Sequence, residues 1–268
     1  MMITQNQLPE NIRNIIDKQV DKFKENVFTD KYSEIPMADH FPTEQSNKWF
    51  KIKNVICVFV DMKNSTKLSA SHHASNTAKA YTLFTGTAVR IFHELGAPYI
   101  DIKGDGVFAL FNSSQAHTAL AAAVTFRTFA KEVFVPKVAK KTDIEVDAHI
   151  GIDQSTLLVS KIGIKRNQER SDKHNEVWAG EAVNMAAKLS SLSKNGEIYT
   201  SSRFFKQLSA RKALISCNCD EEQNLWKEFD LSDDDRFSQS RVGRVKRNPP
   251  FFAVRWVSTS FLSRLKFF

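Results

Sequence analysis

The feature that most constrains this chain is a continuous apolar run at residues 54–60, NVICVFV, which is followed at once by Asp61. A strand that alternates in hydrophobicity has one face in water, whereas a continuous apolar run is typical of a strand buried on both faces. The run therefore predicts a central strand of a covered sheet. Because Asp61 is the first ionisable residue after it, we expect its carboxylate at the C-terminal end of that strand.

Hydrophobic periodicity predicts the elements on either side of this strand. They are a helix at 77–95, strands at 99–102 and 107–111, a helix from a cap at Ser113 or Ser114 to about 134, strands at 144–152 and 156–162, a helix at 181–192, a strand at 197–200 and a short helix after Ser202. From residue 54 the order is β-α-β-β-α-β followed by β-α-β-α. We therefore expect an α/β (α+β) fold with a ferredoxin-like βαββαβ core and additional strands and helices.

Two extensions flank this predicted core. Residues 11–27 carry apolar side chains at helical spacing, and the polar stretch 30–48 is typical of a linker. We predict a leader helix and linker at 1–49, a catalytic domain at 50–210 and a C-terminal extension at 211–268.

The charge distribution narrows the possible partners. The net charge is +8, but an acidic segment at 220–235 and a basic segment at 241–268 nearly cancel, so most of the excess belongs to residues 1–219. A basic core suits a phosphorylated small molecule. We expect the basic tail to pair with the acidic segment or to pack against the domain, and we expect neither nucleic acid nor a membrane as a partner. Nucleic-acid binding by 241–268 and membrane contact by 261–268 are the alternatives.

Cysteine content and the N-terminal sequence indicate the compartment. Three cysteines are too few and odd in number for a disulfide framework, and the N-terminus lacks the apolar run of a signal peptide. We therefore expect a cytoplasmic protein.

Two aspartates are the first candidates for chemistry. Asp61 ends the central strand, and Asp105 lies in Lys103-Gly-Asp-Gly106, the tip of a hairpin whose first strand could lie beside it. Two carboxylates that converge at one edge of a sheet can hold two Mg²⁺ or Mn²⁺ ions for phosphoryl chemistry. Each aspartate taken alone is also compatible with a role as a cap or turn residue.

A phosphate group needs hydrogen-bond donors as well as metal ions. The turn from Met62 to Thr66 opens toward a helical segment and offers backbone N–H groups at a helix start. Lys63, Asn64, Ser65 and Thr66 are therefore candidate substrate-binding residues. The P-loop and Rossmann glycine motifs do not occur in the sequence.

Four blocks in order resemble the class III nucleotide cyclases over about residues 54–210. They are VFVDMKNST (58–66), IKGDGVFALF (102–111), HIGIDQSTLLVSKIG (149–163) and WAGEAVNMAAKLSS (178–191). The last block, on a short one-domain chain, is most similar to the bacterial Pycsar pyrimidine cyclases of antiphage defence.

This resemblance implies a head-to-tail homodimer with composite active sites and two Mg²⁺ or Mn²⁺ ions per site. It implies that Asp61, Asp105 and the backbone carbonyl of Met62 bind metal, and that Asn184 reaches in from the partner subunit to orient the ribose. Where the family has arginine four residues later, this sequence has Lys188. Arginine offers a bidentate fork to the α-phosphate, whereas lysine offers a compact charge, and we expect Lys188 to keep the charge-stabilising role.

The positions that read the base in similar purine cyclases are Asp101 and Val177 here. The adenine pair is absent, and Asp101 could accept a hydrogen bond from guanine, uracil or cytosine. A bulky Trp178 beside Val177 could shrink the pocket to pyrimidine size, although it could equally cover the core. The resemblance favours UTP, with CTP next.

We therefore expect a cyclase that converts a pyrimidine nucleoside triphosphate to the 3′,5′-cyclic monophosphate and pyrophosphate, as a second messenger in antiphage defence. An adenylate or guanylate cyclase is one alternative, and an inactive nucleotide-binding or dimerisation module is another. Lys194 and Arg203 are candidates for the residue that grips the terminal phosphates.

Overall fold

The computed structural model describes residues 4–71, 73–164, 174–194, 196–214, 224–231, 234, 236–237 and 244–248. Its strands are β1 Phe28–Tyr32, β2 Lys48–Met62, β3 Tyr99–Lys103, β4 Gly106–Phe111, β5 Ala148–Gly163, β6 His174–Ala179, β7 Ile198–Ser201, β8 Lys227–Asp230 and β9 Arg244–Asn248. Its helices are α1 Glu10–Phe23, α2 Ser65–Ser71, α3 Ala74–Glu94, α4 Ala116–Phe129, α5 Val135–Ala139, α6 Glu181–Ser190, α7 Ser202–Phe205 and α8 Arg211–Leu214. Short 3₁₀ turns lie at 5–7, 38–40, 44–46 and 113–115, and one turn of π-helix joins α4 to α5.

The strands form one sheet in the order β3-β4-β2-β5-β7-β9-β8. Strand β2 pairs antiparallel with both β4 and β5, so the apolar run at 54–60 lies at the centre of the sheet as predicted. Strand β1 pairs in parallel with the start of β2, and β6 pairs antiparallel with the C-terminal half of β5. The path β2-α3-β3-β4-α4-β5 is the predicted ferredoxin-like core, and the predicted fold class is confirmed.

Both faces of the sheet are covered. Helices α3 and α4 pack on one face and bury a cluster of phenylalanines, including Phe84, Phe92 and Phe126. Ala182 and Ala186 of α6 pack on the other face, beside the N-terminal segment. Because successive side chains of β2 point to opposite faces, Cys57, Phe59 and Asp61 lie on the α6 face. That face carries the candidate site.

Two local predictions are corrected by the structure. The helix after β4 is not capped by Ser113 or Ser114, because Asn112 caps a preceding 3₁₀ turn and exchanges hydrogen bonds with Gln115. The two strands predicted between 144 and 162 are one strand. Asp153 and Gln154 resemble turn residues in the sequence, but both are buried with partners: Arg203 binds Asp153, and the Gln154 side chain donates to the Asn54 carbonyl.

The extensions are more closely joined to the domain than linkers would be. The predicted linker contains β1 and two buried side chains, Ile35 and Phe41. At the other end the sheet continues past residue 210, since β9 pairs with β7. The backbone of β8 pairs with that of β9, so a part of the acidic segment lies beside a part of the basic segment, as one of the two expectations for the tail has it. The tail at 249–268 lies outside the described residues.

In the part of the chain that the structure describes, none of the helices combines the length and the apolar character needed to span a bilayer.

Candidate active site

The two predicted aspartates converge beside the central strand. Asp61 lies between β4 and β5, directly opposite His149, and the hairpin turn of Gly104 and Asp105 lies next to it. A Cβ atom on Gly106 would stand 3.1 Å from Asp61 Oδ1 and 2.9 Å from the Phe59 ring, so a glycine here leaves room for the carboxylate. Gly104 has a φ of 66°, a conformation that glycine adopts without strain.

The negative charge of Asp105 acts on Asp61. The pKa of Asp61 is raised from 3.8 to about 6, first by burial and second by the negative charge of Asp105, while the Met62 N–H opposes the shift. A carboxylate whose ionised form is destabilised in the unliganded protein is stabilised most strongly when a cation binds to it. The pair is therefore electrostatically suited to a divalent cation.

The donor set also fits a hard metal ion. Among the described residues no group of three or more His, Cys, Asp and Glu side chains comes together, so the carboxylate donors here are Asp61 and Asp105. Oxygen donors in small number are typical of Mg²⁺ and Mn²⁺ sites completed by substrate phosphates. The Met62 side chain is buried in the core, which leaves its backbone as the part that could face an ion.

The turn after β2 differs in part from the predicted phosphate cradle. The Lys63 N–H donates to the Asp147 carbonyl at 2.9 Å, and the Lys63 ammonium pairs with Glu145 at 2.9 Å. Both Lys63 donor groups are thus engaged by the loop at 145–147. Asn64 has a φ of 61°, and its side chain donates to the Glu145 carbonyl. Helix α2 then begins at Ser65, which is buried, while Thr66 is exposed.

Helix α6 is held closely against the sheet. Gly151 of β5 faces its backbone, and an added Cβ there would stand 2.5 Å from Ser190 N. At the start of the helix the Ala182 N–H donates to Ser155 Oγ at 2.8 Å, next to Gly180, whose φ is 144°.

The exposed face of α6 carries both predicted catalytic residues. Asn184 and Lys188 are exposed one turn apart, as their spacing of four residues predicts, while Met185 and Leu189 are buried. The Lys188 ammonium donates to the Arg236 carbonyl at 2.9 Å, a contact that the sequence did not indicate.

Arg203, a candidate phosphate ligand, is instead part of an ion-pair network. Its guanidinium binds both oxygens of the fully buried Asp153, at 2.8 and 2.5 Å, and also Glu181 at 2.5 Å. Because three of its donor atoms are occupied by carboxylates, Arg203 ties α6 to β5 and α7 rather than standing open to a substrate. The backbone N–H of Lys194, the other candidate, donates to Glu197 at 3.2 Å.

The predicted base-reading residues surround an aromatic group. Trp178 packs against Phe41 and Tyr99, with ring centroids 5.4 and 4.9 Å apart, and Val177 beside it is 40% exposed. Asp101 lies on the same face of β3 as Tyr99, and its carboxylate pairs with Lys103 at 2.7 Å.

Sequence reasoning did not single out Tyr99 and Phe41. The pKa of the Tyr99 hydroxyl is raised, chiefly by burial and further by the charges of Asp101 and Glu176. The alternation of β3, which sets Tyr99 on the face of Asp101, could have indicated Tyr99. Phe41 lies in the presumed linker, where the sequence offered no such signal.

Comparisons with known proteins agree with this geometry. Residues 48–226 match the family model described as "Adenylate and Guanylate cyclase catalytic domain". A uridylate cyclase of Propioniciclava tarda is 36% identical over 221 residues, which cover 80% of this chain and 70% of that protein. A uridylate cyclase of Micromonospora echinofusca is 34% identical over 192 residues, which cover 70% of this chain and 62% of that protein.

Solved structures show the same fold. The adenylyl cyclase CyaB from P. aeruginosa superposes with a TM-score of 0.59 at 19% identity, covering 75% of this chain and 95% of that one. The guanylyl cyclase Cya2 has a TM-score of 0.54 at 19% identity, covering 73% of this chain and 90% of that one. With the family model matching more than half of its residues, the chain belongs to the adenylate and guanylate cyclase catalytic domain family.

Proposed function

We propose that this protein is a uridylate cyclase, which converts UTP to 3′,5′-cyclic UMP and pyrophosphate, with CTP as the next best substrate. The observation that carries the proposal is the alignment with two uridylate cyclases at 34–36% identity over 70–80% of the chain. The converging Asp61 and Asp105 carboxylates supply the chemistry that such an enzyme needs.

The reaction is an intramolecular phosphoryl transfer. The ribose 3′-oxygen forms a bond to the α-phosphorus, the bond from that phosphorus to the β-phosphate oxygen breaks, and the 3′-hydroxyl proton is lost. Asp61, Asp105 and the Met62 carbonyl would hold two Mg²⁺ or Mn²⁺ ions, which acidify the hydroxyl and neutralise phosphate charge. Little covalent work remains for side chains, so positioning and charge dominate the catalysis.

The exposed face of α6 acts on the substrate in a homodimer. Asn184 orients the ribose, and the Lys188 ammonium stabilises the charge that develops on the α-phosphate. Both point out of the subunit that carries them, which supports a composite site where α6 of one subunit meets the carboxylates of its partner. The amides of Asn64, Ser65 and Thr66 remain candidates for the phosphates, since that of Lys63 is occupied.

Pyrimidine preference follows from the aromatic group around Trp178. The indole is held in place by Phe41 and Tyr99 on the face of the sheet that carries Asp101, where it limits the size of the base that can lie against Asp101. Asp101 accepts a hydrogen bond from uracil N3–H once Lys103 turns away from it. Adenylate or guanylate cyclisation and an inactive nucleotide-binding module remain the alternatives.

A panel of the four nucleoside triphosphates tests the proposal. Purified protein with Mn²⁺ is incubated with each, and cyclic nucleotide and pyrophosphate are quantified by chromatography. We expect UTP to give the highest kcat/KM, and Asp61→Asn to abolish product from every triphosphate. Preferred turnover of ATP or GTP would overturn the assignment of the base, and no product from any of the four would support the inactive module.

A mixing experiment tests the composite site. Asp61→Asn and Asn184→Ala proteins are each assayed alone and after they are mixed and allowed to exchange subunits. In a composite dimer the mixture regains activity, because one site then has intact carboxylates from one chain and an intact α6 from the other. A mixture no more active than its components would place both residues in a site within one chain.

The resemblance to antiphage cyclases also predicts a cytoplasmic second messenger. Cyclic UMP measured in phage-infected cells that carry this gene should rise above its level in uninfected cells. No such rise would exclude a role as an infection signal without touching the enzymatic assignment.

A further inference from the structure

A short part of the C-terminal extension is anchored against α6. Phe237 is 2% exposed and packs with Met185 and Leu189 of that helix and with Tyr199 of β7. The buried Phe237 therefore holds its neighbours Asp234 and Arg236 against the helix that carries Asn184 and Lys188.

Arg236 meets the exposed edge of α6 at two points. Its backbone carbonyl accepts a hydrogen bond from the Lys188 ammonium at 2.9 Å. Its guanidinium returns to the helix and donates to Ser191 Oγ at 3.3 Å. The Arg236 backbone thus holds Lys188, and the Arg236 side chain lies beside it.

The guanidinium of Arg236 is arranged as a fork. Two of its nitrogen atoms bind the Asp234 carboxylate, Nε at 3.0 Å and Nη2 at 2.6 Å, and the side chain remains 51% exposed. A carboxylate and a phosphate accept the same bidentate arrangement from arginine. A phosphate that approaches Lys188 can therefore replace Asp234 on a guanidinium that is already oriented.

We propose that Arg236 is a further catalytic residue, which supplies to the α-phosphate the guanidinium that related cyclases carry at the position of Lys188. The proposal rests on the proposed cyclase function. Lys188 supplies a compact charge held by the Arg236 carbonyl, and the Arg236 side chain supplies the bidentate contact. The two residues together do what a single arginine on the helix would do.

Substitution of the side chain separates the two contacts of Arg236. Arg236→Ala removes the guanidinium, with its bonds to Asp234 and Ser191, but keeps the carbonyl that holds Lys188. We expect kcat for the preferred triphosphate to fall by about 10²-fold with a smaller change in KM, the loss typical of one transition-state donor. Arg236→Lys should retain part of the activity. Arg90→Ala is the matched control, because Arg90 is a surface arginine bonded to a helix carbonyl on the other face of the sheet.

Two rescue experiments exclude a purely structural role. Guanidinium chloride at millimolar concentration should restore part of the kcat of Arg236→Ala but not that of Asp61→Asn. Lys188→Arg should restore activity in the Arg236→Ala background, because it places a bidentate guanidinium group on the helix. A role in folding alone would respond to neither, and failure of both rescues would overturn the proposal.

Mixing Arg236→Ala with Asp61→Asn protein assigns the guanidinium to a subunit. In a composite dimer, random exchange at equal amounts regains about a quarter of wild-type activity, because half of the dimers have one intact site of two. The Arg236 assignment would be overturned, while the cyclase itself stands, by a kcat of Arg236→Ala within threefold of wild type. It would also be overturned if Asn184→Ala regains activity on mixing with Asp61→Asn but Arg236→Ala does not. A wild type that cyclises no triphosphate would overturn both.

Discussion

Replacement of Gly151 by alanine adds only one methyl group, but it should lower both the stability and the activity of this enzyme. Gly151 lies in β5 where α6 crosses the sheet, and an added Cβ would stand 2.5 Å from Ser190 N and closer still to the Ala186 carbonyl oxygen. Those partners are helix backbone, which cannot rotate away as a side chain would. Since carbon and its neighbours pack best at about 3.5–4 Å, α6 must retreat by about 1 Å or more.

This displacement of α6 should lower both the stability of the protein and its catalytic rate. Overpacking of this kind costs about 1–3 kcal/mol of the free energy of unfolding, which corresponds to about 2–4 °C in Tm for each kcal/mol in a domain of this size. Asn184 and Lys188 move with the helix, and a displacement of about 1 Å in positioning groups can cost about 10²-fold in rate. We expect Gly151→Ala to lose about 10²-fold in kcat/KM for UTP.

The assay combines urea unfolding with steady-state turnover, and α3 offers a matched control. A Cβ on Gly86 would stand 3.1 Å from the end of the flexible Arg90 side chain, which can move aside. Alanine is favoured over glycine within a helix by about 0.5–1 kcal/mol, so Gly86→Ala should be neutral or stabilising and fully active. If the free energy of unfolding of Gly151→Ala lies within about 0.5 kcal/mol of wild type and its kcat/KM stays within threefold, the added Cβ does not displace α6.

Three further predictions concern the charged groups. Folding raises the Asp61 pKa from 3.8 to about 6, so ionised Asp61 destabilises the metal-free fold. Asp61→Asn should therefore raise the Tm of the metal-free protein at pH 7. This gain in Tm should disappear as the pH falls below about 4, where Asp61 is protonated in both the folded and the unfolded protein. A Tm gain that persists at pH 3.5 would contradict this origin. Mn²⁺ should raise the Tm of the wild-type protein but not that of Asp61→Asn. EDTA should abolish turnover until excess Mn²⁺ is added. Equal increases in Tm for both proteins would place the metal site elsewhere. Arg203→Ala leaves the buried Asp153 unpaired and should cost about 3 kcal/mol in urea unfolding, with part of the loss recovered by adding Asp153→Asn. Equal stability of the single and double variants would argue against an unpaired charge as the cause.

Local patterns in the sequence were sufficient to predict the core of the fold and the carboxylate pair. A continuous apolar run indicates a buried strand because both faces need apolar side chains, and Asp105 between two glycines indicates a tight turn because glycine tolerates positive φ. The predicted position of the hairpin beside the central strand brings Asp61 and Asp105 together, although its second strand, β4, and not its first makes the pairing. The spacing of Asn184 and Lys188 likewise depends on helix geometry alone.

The errors arose where distant residues satisfy a polar group. Asp153 and Gln154 fall in the gap between two predicted strands, but Arg203, 50 residues away, offsets part of the cost of burying Asp153 inside a single strand. The contact between Lys188 and the Arg236 carbonyl joins residues 48 apart. Strand β1 pairs through its backbone, whose hydrogen bonds leave no mark in the side-chain pattern. Such contacts depend on tertiary structure, and no local pattern indicates them.

The features that the sequence did not indicate converge on one element, helix α6. Arg203 binds Glu181 at its first turn, the Gly151 strand sets its distance from the sheet, and Phe237 packs beneath its last turns. Each constraint comes from a different element, so loss of one leaves the others in place. The carboxylate pair is equally fixed, because it belongs to the central strand and an adjacent hairpin. Within one chain, neither helix α6 nor the carboxylate pair can readily move relative to the sheet that carries both. In the proposed composite dimer, the distance between Lys188 and the partner's carboxylates therefore depends on how two rigid subunits dock, and a signal that changes their docking would change the rate without rearranging either half.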